Sequence, residues 1–395
     1  MHIRAALIIF VFTVFLSLPS IFNPILNRAS DLDGNISQIL YIKDSLVKHH
    51  TFPQWNPYIN QGIPVSADPL HAAFHPLVLP AFMLFTPITA IKLLYFVSLL
   101  SGGLGMYFLL HRLKVSSAIR IFSACILVTS GYIASHMIAG HFEKVLSFGI
   151  LPWFMLSIYE VAKRPRSSFE ILTALSMTLI LFSGDLYNAL YASIIVVTTG
   201  ILGRSKSSIQ ASLRIIAYFL LLGSVKLIPL IELQEYIGKI REPFAGSQNI
   251  VSILYYFFVP IKPIFGIAGL GGLLETGFAW WEKVAFIGPF TLVGIVLFFT
   301  HRNIFSKKQS QFFVGILVVL LLLSMPSATW NPYHWMISAL PSLQLFHVPS
   351  RVFGMLTIIL LTLCALGYQR WYTRKNIYVR IAVIGFLLIN TLSTF

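Results

Sequence analysis

Asp31 and Asp33, two residues apart, stand where the first apolar run of this chain gives way to a segment patterned as an amphipathic helix. A carboxylate there can take the proton of an acceptor hydroxyl, or ligate a divalent ion that neutralises a diphosphate. The plainer use is structural, since Asp33-Gly34-Asn35 ahead of a helix is an ordinary N-cap. Asp68 follows a ring-rich stretch, Phe52-Pro53-Gln54-Trp55-Asn56-Pro57-Tyr58, and then Gly62-Ile63-Pro64. His71 and His75 come next at i,i+4 spacing, which suits a shared metal. Pro69 and Pro76 flank that pair and no third ligand is evident, so anchoring of the loop at lipid headgroups is the favoured role.

Further along, His136, His141, Glu143 and Lys144 follow a third apolar run, Asp185 follows a fifth, and Lys226 interrupts a seventh. Ionisable groups at membrane depth are costly and either pair with one another or face a polar cavity. Glu143 beside Lys144 offers such a pair, whereas Asp185 has no opposite charge near it in sequence, which tilts it towards function. Glu232, Glu235 and Glu242 lie close to Lys239 and Arg241, and His347 and Arg351 lead into a tenth run. The guanidinium fork of Arg351 suits a lipid phosphate. Spacing alone favours a snorkelling interface anchor.

The elements that must position these groups are membrane spans. A hydrophobic content of 57% with only 10% charged residues over 395 residues is far from a soluble domain. Spans of about 20 apolar residues are expected near 5–22, 89–110, 118–139, 145–162, 168–183, 186–202, 214–231, 284–300, 312–325, 351–369 and 381–395. The predicted fold is therefore an all-α integral membrane protein of about eleven transmembrane helices, one polytopic domain over 1–395. One alternating set of joints holds 17 of the 28 Lys and Arg against Glu160 and Glu170 alone, while the other set is balanced. Basic joints stay in the cytoplasm, which puts the N-terminus inside, as an uncleaved signal anchor, and the polar chemistry on the outer face of the cell membrane.

Two long outer loops remain, 23–88 and 232–283. Apolar pieces at 74–86 and 250–268 are expected to be interfacial or re-entrant, because counting either as a span would place every later basic joint outside. Ile36, Ile39, Leu40, Leu46 and Val47 recur at helical spacing and predict an amphipathic helix lying on the outer surface. Cys125 and Cys364 both fall inside apolar runs, which leaves no disulfide framework or zinc cluster. No basic tract alternates with aromatics, so nucleic acid is excluded as a partner; the bilayer is one.

Taken in order, Asp31/Asp33, Gln38, the Phe52 to Tyr58 stretch, Gly62-x-Pro64, Ala67-Asp68-Pro69 and Phe74-x-Pro76 resemble the first outer loop of YfhO-like membrane proteins of the GT-C glycosyltransferase class. Gly140-His141, Leu151-Pro152-Trp153, Gly184-Asp185, Pro229-x-x-Glu232 with Arg241, Glu282 to Gly288, and Leu340-Pro341 through Phe346 to Arg351 continue the match across nearly the whole chain. The resemblance implies transfer of a sugar from a polyprenyl-phosphate carrier, on the outer face, to a glycan, lipid or protein acceptor. It implies a catalytic Asp at 31 or 33 acting as general base with inversion, and a cavity lined by His141, Asp185, Glu232, Arg241 and Arg351; Trp55, Asn56, Asp68, His71, Glu143, Lys144 and His347 complete the residues expected to bind substrate. The leaving phosphate would lie near Arg351, with Arg241 or Lys144. A Mg²⁺ or Mn²⁺ ion fits the acidic pair, although a monophosphate donor needs none. Relatives often carry Arg where His347 stands, and many are longer, with acceptor recognition beyond the core. The rival classes are a transporter or lipid flippase coupled through Lys226, Asp185 and Glu143, and a non-catalytic scaffold of envelope assembly. A flippase predicts inverted repeats and mid-membrane charges. The sequence has no visible repeat, and its ionisable groups crowd the outer edge.

Overall fold

The computed structural model of the chain describes residues 2–22, 30–59, 62–233, 248–259, 280–300, 308–339, 346, 348–373 and 377–394. The first part of the chain forms helices α1 (His2–Phe22), α2 (Ser30–His49), α3 (Val78–Leu84), α4 (Pro87–Arg112), α5 (Ser117–Val128), α6 (Gly131–Ala139), α7 (Phe142–Phe148), α8 (Leu151–Lys163) and α9 (Ser167–Phe182). The remainder forms α10 (Leu186–Leu202), α11 (Lys206–Leu233), α12 (Ile250–Phe258), α13 (Pro289–Phe299), α14 (Lys308–Ser324), α15 (Pro332–Ala339), α16 (Phe353–Tyr372) and α17 (Ile377–Thr394). A short antiparallel hairpin, β1 (Trp55–Asn56) with β2 (Ile63–Pro64), interrupts this pattern between α2 and α3, with Trp55 opposite Pro64 and Asn56 opposite Ile63.

Six helical stretches are long and apolar enough to cross a membrane: Pro87–Arg112, Ser117–Ala139, Phe142–Lys163, Lys206–Leu233, Pro349–Tyr372 and Ile377–Thr394. Shorter apolar helices occupy the other five expected runs, at His2–Leu18, Ser167–Phe182, Leu186–Leu202, Pro289–Phe299 and Lys308–Ser324. Each expected run thus carries helix, and among the described residues six stretches combine the length and the apolar content needed to span. The piece at 74–86 contributes only the seven-residue α3, too short to cross. The piece at 250–268 begins as α12, started by a reciprocal capping box between Asn249 and Ser252; its continuation from 260 lies outside the described residues.

The first long loop departs from expectation in two ways. α2 starts at Ser30, so Asp33 sits inside its first turn rather than capping it; an acidic residue there is favoured by the helix dipole. The buried stripe of α2 is Leu32, Asn35, Ile39 and Ile42, whereas Val47 is 53% exposed. That spacing, three or four residues at each step, is the face an α-helix turns to a single neighbour. The helix packs on its own loop: Ile42 clusters with Val65 and Ala73, flanked by Tyr41, Leu46, Phe52 and Leu79.

The chain forms two compact units. The first comprises Met1–Thr13, Gly102–Ser135 and Lys239–Phe395. Its centre is α16, buried from Phe353 through Ala365 and packed against α5, α13, α14 and α17. α13 and α16 touch backbone to backbone, since a Cβ on Gly367 would stand 1.9 Å from the carbonyl oxygen of Gly294. Buried Asn390 of α17 organises the head of α13, accepting from Phe290 N at 2.9 Å and donating to Ile287 O at 2.8 Å.

The second unit comprises Val14–Ser101 and His136–Gly238. In it α11 packs on α9, α10 and a 3-10 turn, Val65–Ala67, of the first loop, while α8 packs on α9. Glu170 of α9, almost wholly buried, receives the guanidinium of Arg214 of α11 at 2.7 and 2.8 Å.

Candidate functional site

The polar residues singled out above concentrate in the second unit, in two layers. The deeper layer is built on α7, whose seven residues are all buried, Glu143 and Lys144 included. Lys144 pairs with Asp185, the N-cap of α10, rather than with its sequence neighbour Glu143. Asp185 is wholly buried and also accepts from Ser147 Oγ, from Asn188 Nδ2 at 2.6 Å and from Asn188 N at 3.2 Å. The Lys144 ammonium lies 4.9 Å from the centre of the Tyr187 ring, a cation–π contact that further replaces lost hydration. Helix geometry makes the pairing possible: the three residues from 144 to 147 are one turn, so Lys144 and Ser147 share a face. Beside this network His141, also buried, meets His136 through their Nδ1 atoms at 2.8 Å.

The upper layer is the first loop. α2 supplies Gln38, Tyr41 and Ile42, the hairpin supplies Asn56 and Ile63, and the turn beyond it supplies Val65, Asp68 and His71. Together they line a cleft of about 200 Å³. Asp68 is buried and accepts from Leu70 N at 2.9 Å and from the Gln38 side-chain amide. Asn56, buried in the hairpin, accepts from Tyr58 N at 3.0 Å. His71 is only 2% exposed, yet neither of its ring nitrogens has a hydrogen-bond partner, nor has Oε1 of Gln38. Burial, with Lys226 as a second cause, lowers the His71 pKa to about 3, so the ring is neutral. Burial likewise lowers His75 to about 4, and its Nδ1 accepts from Leu77 N at 3.3 Å, so the second histidine is spent on its own turn.

Two features join the layers. Lys226 of α11 is fully buried and donates to the backbone carbonyl of His71 at 2.5 Å, within electrostatic reach of Asp68, Glu143 and Asp185. Gly184, at φ +90°, passes directly beneath the loop: a Cβ there would lie 2.3 Å from the carbonyl oxygen of Leu70. Lys226, which spacing flagged only as a charge inside a span, belongs to this polar region. Gln38 was quoted for resemblance alone; its carboxamide is a wall of the cleft.

The remaining sequence-predicted residues fall elsewhere. Asp33 is exposed and makes no hydrogen bond or ion pair with a described residue. Asp31 belongs to the same turn of α2. Trp55 is half exposed on the hairpin, its indole lying over Gly62. Glu232 is exposed near the end of α11, and Arg241 and His347 lie outside the described residues. In the first unit Arg351 is engaged by buried Glu282, with Nη2 at 2.6 Å and Nε at 3.0 Å, a partner that sequence spacing did not suggest.

Residues 74–395 match a protein family described as "6-pyruvoyl-tetrahydropterin synthase related domain; membrane protein". No curated protein matches the sequence. Among solved structures, the arabinofuranosyltransferase AftD from Mycobacteria aligns over 100% of this chain with a TM-score of 0.60 at 14% identity. The oligosaccharyltransferase of Archaeoglobus fulgidus also aligns over 100% of it, with a TM-score of 0.56 at 11% identity. The chain covers 27% of the first protein and 55% of the second. At such identities the likeness is one of fold alone.

Proposed function

The chain belongs to the 6-pyruvoyl-tetrahydropterin synthase related family of membrane proteins, and on that premise, joined to its likeness in fold to those two transferases, we propose that it is a membrane glycosyltransferase of the GT-C class. The donor is a sugar on a polyprenyl phosphate, and the acceptor a glycan, lipid or protein on the extracytoplasmic side of the cell membrane. The order of motifs through the first loop supports a YfhO-like place within that fold.

One observation carries the catalytic assignment. The buried carboxylates Asp68, Asp185, Glu170 and Glu282 are each held by hydrogen bonds or an ion pair, whereas Asp33 stands exposed at the head of α2 with no partner among the described residues. A general base needs a lone pair free to meet its proton. Positions two apart on a helix do not share a face, which favours a single base over a two-armed metal clamp. Asp33, or Asp31 in its place, takes the proton of the acceptor hydroxyl. The hydroxyl oxygen attacks the anomeric carbon from the face opposite the carrier; the bond from that carbon to the phosphate oxygen breaks, and the polyprenyl phosphate leaves with the electron pair. The anomeric configuration inverts.

Lys144, spent on Asp185, is reassigned to scaffolding, as is Asp185 itself. The same pairing argues against a flippase coupled through Asp185, because that charge already has a fixed partner.

Separate Asp31→Asn and Asp33→Asn variants, assayed for sugar transfer from a radiolabelled polyprenyl-phosphate donor, test the reading. Loss of about 10²–10⁴-fold in one of them is expected for a general base. Full transfer by both would remove the assignment.

A further inference from the structure

The first-loop cleft has hydrogen-bonding capacity that the protein itself does not use. Buried polar groups are normally paired, and leaving one unpaired costs about 1–3 kcal/mol. Here two residues that line the cleft carry atoms with no partner among the described residues: the two ring nitrogens of His71, in a side chain 98% removed from solvent, and Oε1 of Gln38. A neutral imidazole offers one donor and one acceptor, and the amide oxygen offers a second acceptor.

The chemistry of the missing partner follows from the walls. No Lys or Arg lines the cleft, and its one charged group is the anion Asp68, so a phosphate is repelled rather than held. A metal ion is also disfavoured, because both Asp68 oxygens already accept from N–H groups and the Lys226 ammonium stands behind the His71 backbone. A hydroxyl is uncharged and can donate and accept at once. It therefore suits His71 whichever nitrogen carries the proton. Of the roughly 200 Å³ of open space in the cleft only about 10 Å³ admits a water-sized group, so it takes a single hydroxyl at the edge of a sugar and not a whole ring. Close by, the Tyr58 ring is 82% exposed and meets the Tyr41 ring at 5.6 Å, an apolar face for the C–H side of a ring.

We propose that this cleft is a subsite for the hydroxyl-bearing edge of a saccharide ring, held by His71 and Gln38 and flanked by Tyr58. Lys226 is a positioning residue that holds the His71 backbone in place. That the hydroxyls belong to a saccharide, and not to some other polyol, rests on the glycosyltransferase reading; the sugar is that of the donor or that of the acceptor.

The test is saturation-transfer NMR on the full-length protein in micelles, with the methyl glycosides of glucose, galactose, mannose, N-acetylglucosamine and arabinofuranose, and with glycerol and inorganic phosphate as comparators. At least one glycoside is expected to bind, and phosphate to leave that signal unchanged. His71→Phe and the surface variant Tyr58→Ala should each weaken binding about tenfold, near 1.4 kcal/mol, with melting temperatures recorded alongside. Displacement by a polyprenyl-phosphate sugar would identify the donor's ring; glycosylation of the bound glycoside would identify the acceptor's. Either supports the subsite. Asp31→Asn and Asp33→Asn should bind the glycoside normally, so full transfer by both with binding intact sinks the catalytic assignment and spares the subsite. Binding by no glycoside, glycerol binding as strongly as any of them, or Tyr58→Ala and folded His71→Phe binding like the parent would overturn the proposal.

Discussion

Two polar regions of the second unit are equally buried and differ in completeness. Both oxygens of Asp185 are taken, by Lys144, Ser147 and Asn188, although Oδ1 of Asn188 is itself unmet. Around His71, a few residues away through Lys226 and Gly184, donors and acceptors stand unused. A satisfied charge network is rigid and has nothing left to offer a ligand. An unsatisfied neutral group bears a standing cost that only a bound molecule can remove. The contrast separates scaffold from site in a place where residue type alone made both look functional.

The sharpest way to break that contrast is Lys144→Met, which leaves Asp185 buried without its counter-charge. We expect a loss of about 3–5 kcal/mol, read as a large drop in melting temperature in micelles, with Lys144→Met/Asp185→Asn recovering most of it. A Lys144→Met protein as stable as the parent would show that the network is not scaffolding. Next in size is Gly184→Ala, which must adopt φ +90° and push against the Leu70 carbonyl. A cost of about 1–3 kcal/mol is expected, together with faster proteolysis within residues 52–75, since the displaced carbonyl is one residue from His71.

A smaller effect comes from pH. His71 and His75 titrate in the folded loop at about 3 and about 4, below the usual imidazole value near 6.5. The unfolded loop therefore binds protons first as pH falls. Stability is complete above pH 6.5 and declines below it, by about 1.4 kcal/mol per histidine for the first pH unit. Melting temperatures at pH 7.5 and 5.5 should differ, and His75→Gln should lessen the difference; a flat profile in the parent would contradict burial of both rings. The smallest change is expected for Asp44→Ala. Its pair with Lys48 spans one helical turn with both side chains more than 60% exposed, and its removal should shift stability by no more than about 0.5 kcal/mol.

Helix was legible in the sequence at every apolar run, because the hydrophobic pattern is local. The bounds were legible too at α9 and α10, where the runs expected at 168–183 and 186–202 are the helices Ser167–Phe182 and Leu186–Leu202. The face of α2 was misread, since Ile36 and Val47 are as apolar as Ile42 and only the packing of Val65 and Ala73 selects which side is covered. Likewise Asp33 reads as an N-cap until the helix is seen to begin at Ser30.

Composition, the spacing of apolar runs and the placement of charge determined by themselves that this is a helical membrane protein, with its polar residues gathered at particular span ends and loops. Partners were decided by the tertiary structure alone. Lys144 lies 41 residues from Asp185 and Arg351 lies 69 residues from Glu282, separations at which sequence carries no preference for one opposite charge over another. The same holds for what is missing: that His71 is closed off from water with nothing to bond to is a property of the packed loop, because burial and hydrogen bonding are made by residues that meet only once the chain has folded.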